Sequence, residues 1–455
     1  MRRFPSFRLF GLAAVLATVL AALPVPALAL GPPATLAEAE SFGSVDGSEP
    51  PVEMDFPIDY LAVSWLDGRR PEVRFRLEGG WTPWTRVLLD DAQAGRRTYG
   101  ALVSAGDAGA YQIRGDALGV EATVINTTDG PRPLVWQRPE AEAGHLAQPA
   151  PITRAQWGAD ENLRFKGSTE KGTRTFYPTQ KLIVHHTVTA NNDPDPAATV
   201  RAIYYHHVVN RGFVDIAYNF LIDAQGRIYK GRYSGPQNTK TADTITGENA
   251  AGYGVTGAHT GGYNSGTMGV AILGNYVSTP IPAAARATLV QHLAWEAERH
   301  VLPPQGAGTY TNPGSGATKV TPNISGHRDW SATQCPGETM YQALPAIRAE
   351  VAALVGGLPS PDTKPPRISQ VRPRKVRQRF AIVRWRTSEP ATGQIQYWEN
   401  GRKRRTTRLD RTLERGHKAR VGRLKPGTRY RYRILGWDAA GNASFSRPKV
   451  LTTEG

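Results

Sequence analysis

One cysteine in 455 residues, Cys335, leaves this chain without any internal disulfide. Its stability has to come from buried apolar cores, and the length suffices for about three domains. Long apolar runs are also missing. Past the N-terminus no stretch reaches the roughly 20 residues that a membrane-spanning helix needs. Acids are scarce at one end only. From Pro365 to Gly455 there are 24 lysines and arginines against 6 acids, a net of +18 where the whole chain carries +16. Leu30–Ala150 nets −8 and Pro151–Lys364 nets +3, so the basicity belongs to one terminal segment.

What is present starts with a leader. Arg2, Arg3 and Arg8 precede an apolar run from Leu9 to Leu23, and Ala27-Leu28-Ala29 has the small-x-small pattern of a cleavage site. Residues 1–29 therefore read as a signal peptide. Exported proteins usually pair their cysteines. A lone thiol in such a chain is buried and inert, paired with another molecule, or chemically employed.

Residues 30–150 read as a β-rich domain, disordered to about Pro51. Leu61–Trp65 and Glu72–Leu77 alternate with the period of strands, and a small sandwich is expected. Trp81 and Trp84 are read as core or rim aromatics in preference to a sugar-stacking platform. Residues 151–355 alternate strand and helix signals. Leu182–Thr187 opens as an apolar strand and ends in two histidines. Asp195-Pro196 starts a helix that Gly212 ends, with Val200, Ile203, Tyr204 and His207 on one face. Ala217–Lys230 is a hairpin pattern, Gly269–Gly274 a buried strand, and Ala283–His300 and Glu338–Leu354 are further helices. Such alternation predicts a mixed β-sheet flanked by helices.

Zinc takes imidazole nitrogen and thiolate, and a catalytic site keeps three protein ligands with one position open for water. His185 or His186, His327 and Cys335 supply such a set. Adjacent strand residues face opposite ways, so only one of the first two can reach the ion. Each residue alone has a plain reading as a core histidine or a small buried hydrophobe. No acidic residue in this segment stands out as a general base.

Four motifs then occur in order: H-H-T at a strand end, D-I-A-Y-N-F-L-I-D-A-Q-G-R-I-Y-K-G-R, G-A-H-T-G-G-Y-N-S-G-T-M-G-V-A-I-L-G, and G-H-R-D-W…T-Q-C-P-G. Together they closely resemble the peptidoglycan recognition protein branch of the type 2 N-acetylmuramoyl-L-alanine amidases, over about Ile152–Leu354. The resemblance implies a central α/β amidase domain with one Zn2+ in a groove, held by His185, His327 and Cys335. It places the family's tyrosine at Tyr218 and its threonine-or-lysine position at Thr333, both catalytic; the plain readings are that Tyr218 only packs and Thr333 only caps a turn. His259 and Asn264 match its groove region, as substrate contacts or, equally, as residues that make a structural hydrogen bond. Binding-only members of the family lack the cysteine that this chain keeps. The implied activity is hydrolysis of the amide between N-acetylmuramic acid and L-alanine of peptidoglycan; the alternative is a peptidoglycan binder that does not cut. The implied location is the exterior or envelope of a bacterial cell.

Residues 356–364 read as a stiff Gly- and Pro-rich linker. Residues 365–455 show short alternating strands and, with T-S-E-P-A-T-G, L-K-P-G-T-R-Y-R-Y and D-A-A-G-N, resemble a fibronectin type III sandwich. Their arginines alternate with apolar residues and are expected on the solvent face. So basic a domain points to polyanions, with anionic wall polymers ahead of nucleic acid because base-stacking aromatics are not evident.

Overall fold

The computed structural model describes residues 35–90, 96–127, 146–356, 364–399, 404–438 and 442–455. The leader and all of the linker but its ends lie outside the described residues. Among the described residues no helix is long and apolar enough to cross a membrane.

The N-terminal strands include β1 (Leu36–Ser48), β2 (Val52–Trp65), β3 (Glu72–Leu77) and β4 (Val103–Asn126). The stretch expected to be disordered up to Pro51 is thus corrected over Leu36–Ser48. β1 pairs along β4 from Leu36↔Asn126 to Ser48↔Arg114, and this ladder satisfies its backbone. Its alternation is hard to see because most of its side chains are exposed. Eight strands of this domain form one continuous hydrogen-bonded sheet. β2 is buried on both faces from Ile58 to Trp65. Leu61, Val63 and Trp65 enter the domain's own core, whereas Tyr60 and Ala62 pack into a second core shared with the next domain. Trp81 and Trp84 line a rim. The Arg74 guanidinium lies 4.7 Å from one ring and 4.6 Å from the other, and Arg114 covers Trp84 at 4.4 Å. Guanidinium groups thus already sit over these rings.

The central domain is built on β5 (Lys181–His186), α1 (Pro196–Tyr205), β6 (Phe220–Ile222), β7 (Ile228–Lys230), β8 (Thr267–Ile272), α2 (Ala283–Arg299), β9 (Ile324–Gly326) and α3 (Glu338–Val355). The sheet order is β7-β6-β8-β5-β9. Three of its four pairings are parallel, and the β6–β7 hairpin supplies the antiparallel edge. The sheet is therefore mixed, as expected. Parallel strands need crossovers, and helices provide them on both faces. Leu182, Val184, Val270 and Ile272 pack under α2 and α3, against Leu289, Leu293, Leu344 and Ile347. Each of these fully buried aliphatic side chains contributes about 1.5–3 kcal/mol of transfer free energy. Leu221 and Ala271 pack on the opposite face under α1, with Val200, Ile203 and Tyr204.

α1 starts where the Asp195 side chain accepts from the Ala198 N–H at 3.1 Å and Pro196 occupies the first turn. It widens into a π turn over His206–Asn210 and stops at Gly212, whose φ is +67°.

The C-terminal domain includes β10 (Ile368–Val376), β11 (Phe380–Trp398), β12 (Asp410–Gly422) and β13 (Arg429–Trp437). The first half of β11 pairs with β10 and β12, and its second half pairs with β13. Inside, Trp385 stacks on His417 at 5.0 Å with an interplanar angle of 7°. Outside, the ladders put like charges opposite one another. Arg372 faces Arg384, and Arg384 faces Lys418, across three strands. All three are exposed, and no carboxylate among the described residues pairs with them.

Candidate metal centre

β9 ends at Gly326 opposite Val184 of β5. The next residue on each strand is a histidine, so register alone brings His327 beside His185, with ring centroids 4.7 Å apart. The chain then turns through His327–Asp329, where the Asp329 carboxylate accepts from the Gly326 N–H at 2.9 Å. It returns so that the Arg328 N–H donates to the Cys335 carbonyl at 2.9 Å. Gly337, at φ +91°, follows immediately. A Cβ there would sit 2.3 Å from the Tyr276 backbone, so only glycine lets this loop close on the sheet.

This arrangement puts the thiol of Cys335 3.5 Å from His185 Nδ1. One ligand atom from each of His185, His327 and Cys335 lies within 4.8 Å of the others, and all three residues are buried. Zinc bound tetrahedrally at about 2.0–2.1 Å to nitrogen and about 2.3 Å to sulfur separates those two atoms by about 3.5 Å. The donor set and its spacing fit that ion. The His186 N–H points at Cys335 Sγ from 3.4 Å, a contact that favours the thiolate.

The choice between the paired histidines is settled by the strand's alternation. His185 faces the cluster. The His186 ring turns to the other face, where its Nδ1 accepts from the Tyr276 N–H at 3.2 Å. Burial holds the His185 imidazole well below its usual pKa. Burial likewise lowers His259 to about 3. Both rings are therefore neutral at physiological pH, the form that binds metals.

For His259 the geometry favours the structural hydrogen bond over a substrate contact. It is buried at 2% exposure, and its Nδ1 lies 3.0 Å from His185 Nε2 on the side away from Cys335. There the ring faces His185 and is closed off from solvent. Gly269 makes room for it, since a Cβ at that position would come within 2.5 Å of the ring. Asn264 is half-exposed. Its side-chain oxygen accepts from the Thr260 N–H at 2.8 Å and closes the loop that carries His259. Tyr218 does stand at the site, with its ring centroid 5.4 Å from that of His185. The Thr333 hydroxyl accepts from the Cys335 N–H at 3.1 Å, so it shapes the cysteine's turn from a half-exposed position.

A second cluster, Glu248, Glu296 and His300, also has ligand atoms within 4.8 Å of one another. Arg299 pairs with Glu248 at 2.5 Å, and His300 Nε2 lies 3.1 Å from both carboxylates. Burial lowers the His300 pKa, but hydrogen bonds to the two glutamates outweigh it and raise the pKa to about 9. Two cations thus neutralise two anions there, and the group is an internal ion network that ties the C-terminal end of α2 to the Glu248 loop.

Sequence reasoning missed the groups on the far side of Tyr218. A cleft behind that ring is lined by His186, His206 and His207, and also by Asp90 and Leu102 from the N-terminal domain. No motif marks Asp90 or Leu102, which reach the site only through domain docking.

The mixed α/β sheet thus brings two imidazoles and a thiol together in a buried group that could hold a metal ion. The family profile described as N-acetylmuramoyl-L-alanine amidase matches residues 175–338. The chain is 33% identical over 175 residues to a peptidoglycan-recognition protein of Drosophila simulans, covering 38% of this chain and 75% of that protein. It is 29% identical over 198 residues to bovine (Bos taurus) peptidoglycan recognition protein 1, covering 42% and 81%. It is also 29% identical over 208 residues to a human (Homo sapiens) N-acetylmuramoyl-L-alanine amidase, covering 44% of this chain and 28% of that one. The chain belongs, through its central domain, to the family of peptidoglycan recognition proteins and N-acetylmuramoyl-L-alanine amidases.

Proposed function

We propose that this protein is an exported, zinc-dependent N-acetylmuramoyl-L-alanine amidase that cuts the bond between the lactyl carbonyl of N-acetylmuramic acid and the nitrogen of L-alanine in peptidoglycan. The observation that carries this reading is the buried set of His185, His327 and Cys335, whose ligand atoms lie within 4.8 Å of one another. Zinc there would supply a Lewis acid for the scissile carbonyl and a water with its pKa lowered to about 7. The protein's own groups do the rest. His259 holds the His185 ring in one orientation through its nitrogen contact. Tyr218, against the His185 ring, is placed to orient the attacking water or to donate to the oxyanion as it develops. Thr333 is a weaker polar partner, since its hydroxyl already holds the Cys335 turn.

The C-terminal strands fit a fibronectin type III-like sandwich. The unpaired row Arg372–Arg384–Lys418 supports a role in holding anionic wall polymers, because like charges directly opposite one another destabilise a sheet unless an anion neutralises them. The Met1–Ala29 leader supports export to a bacterial envelope.

Metal analysis of the purified chain, followed by incubation with cell walls and assay of new L-alanine amino ends, tests the proposal. The expected result is one zinc per chain and steady release of amino groups. A zinc-free chain, or a zinc-loaded chain that binds walls and releases none, overturns catalysis and leaves recognition.

A further inference from the structure

The N-terminal domain docks on α1 and the π turn behind Tyr218. Tyr60, Ala62, Leu102 and Ile125 share one buried cluster with Ile203 and Tyr218. Polar contacts fix the register of the two domains. The Thr127 hydroxyl donates to the Ala198 carbonyl at 2.8 Å, Arg201 returns a bond to the Thr127 carbonyl at 2.7 Å, and the Tyr60 hydroxyl pairs with that of Thr199. At the other end of the helix, Asn210 Nδ2 donates to the Thr123 hydroxyl at 2.8 Å.

Within this contact Asp90 is the charged element. Its carboxylate pairs with Arg211 and lies 3.4 Å from His206 Nε2. Arg211 is itself stacked between Tyr99 at 4.4 Å and Phe213 at 4.9 Å. His206 opens the π turn that carries His207, and Arg211 follows its last residue. His207 Nδ1 accepts from the Ala217 N–H at 3.2 Å, and its ring lies 5.7 Å from Tyr218. An unbroken series of contacts thus runs from Asp90 through the π turn and His207 to Tyr218 and His185. Such a packed series transmits a displacement instead of absorbing it.

We propose that the N-terminal domain is a working part of the hydrolytic site: Asp90 is a positioning residue that locks the π turn so that His207 holds Tyr218 against His185. The proposal rests on the amidase reading of the same site. It also gives the domain a task that needs no ligand of its own.

The test uses the full-length, zinc-loaded chain with tyrosines labelled at the ring carbon bearing the hydroxyl, the Tyr218 NMR signal being assigned by its loss in Tyr218→Phe. Asp90→Asn is expected to move that signal and to lower kcat about tenfold, with KM within about twofold and zinc content unchanged, as a small misplacement of a catalytic group does. Asp90→Glu should restore most of both. His206→Gln, which leaves the Asp90–Arg211 pair in place, should give the same two changes and serves if Asp90→Asn fails to fold. A Tyr218 signal and a kcat equal to the parent's in the folded variants overturn the proposal. If the parent itself releases no amino ends, the amidase reading fails, while the Tyr218 signal still decides whether Asp90 positions that ring.

Discussion

Cys335 Sγ and His185 Nδ1 stand 3.5 Å apart, although 150 residues separate them in the chain. Neither group has a reason to be there in packing alone. With His327 beside them, these groups have the donor types and spacing that could hold a metal ion.

Cys335→Ala should therefore lower both zinc content and turnover to background. Serine at this position should behave much the same, because a hydroxyl does not supply the thiolate zinc prefers. Zinc stoichiometry and amino-end release check this; a variant that keeps either at the parent's level removes Cys335 from the ligand set.

His259→Phe should weaken zinc binding about 10- to 100-fold while leaving the fold intact, as loss of a group that orients a ligand does. The nitrogen contact to His185 Nε2 disappears, but the cavity beside Gly269 stays filled. Competition against a chelator measures the affinity. Unchanged affinity would mean that His185 is oriented by packing alone.

The His300 network makes stability depend on pH. Its folded pKa, about 9, lies above its ordinary value of 6.5. A raised pKa means that the folded state holds the proton more tightly, so the stabilisation is fully present below about pH 6.5 and is lost as pH rises through about 9. The shift corresponds to an effect on the order of 3 kcal/mol. Thermal melts between pH 6 and 9.5 should show the parent losing more stability than His300→Gln. Parallel curves for the two proteins would discount the network.

Replacing Arg372, Arg384 and Lys418 together by glutamine should weaken retention on whole cell walls at low salt and flatten its salt dependence. Release of amino ends from small soluble muropeptides should not change, since these exposed side chains lie outside the metal centre. Equal retention of parent and variant would show that this face does not hold wall polymers.

Tyr218→Phe should reduce kcat about 10²- to 10³-fold with zinc content unchanged, the range found when one oxyanion donor is removed. Near-normal kcat would mean that the ring only packs against His185.

Much of the central domain could be read along the chain because its signals are local. The apolar run Leu182–Val184, the Asp195-Pro196 start of α1 and the Gly212 stop each act within one turn or one strand. Short-range sterics and hydrogen bonding therefore reveal them without knowledge of the fold. That His185, His327 and Cys335 come together could be anticipated for a different reason. It depends on residue types that chemistry restricts, and strand alternation allows only one histidine of the adjacent pair to join it. The β1 strand was not legible, because a mostly solvent-exposed strand has no apolar period to display.

Composition and motif order by themselves determined that the chain has three parts, that the last is the basic one, and that the middle one carries two imidazoles and a thiol suited to a metal. Only the tertiary structure decided which way each of those side chains points. It turned His259 from a groove residue into the partner of His185, and it set Asp90 and Leu102 of the first domain behind Tyr218. The reason is physical: residue identity and spacing along the chain specify what a group can do chemically. Contacts between segments a hundred or more residues apart arise only when separate apolar faces are buried against each other, and nothing local encodes their orientation.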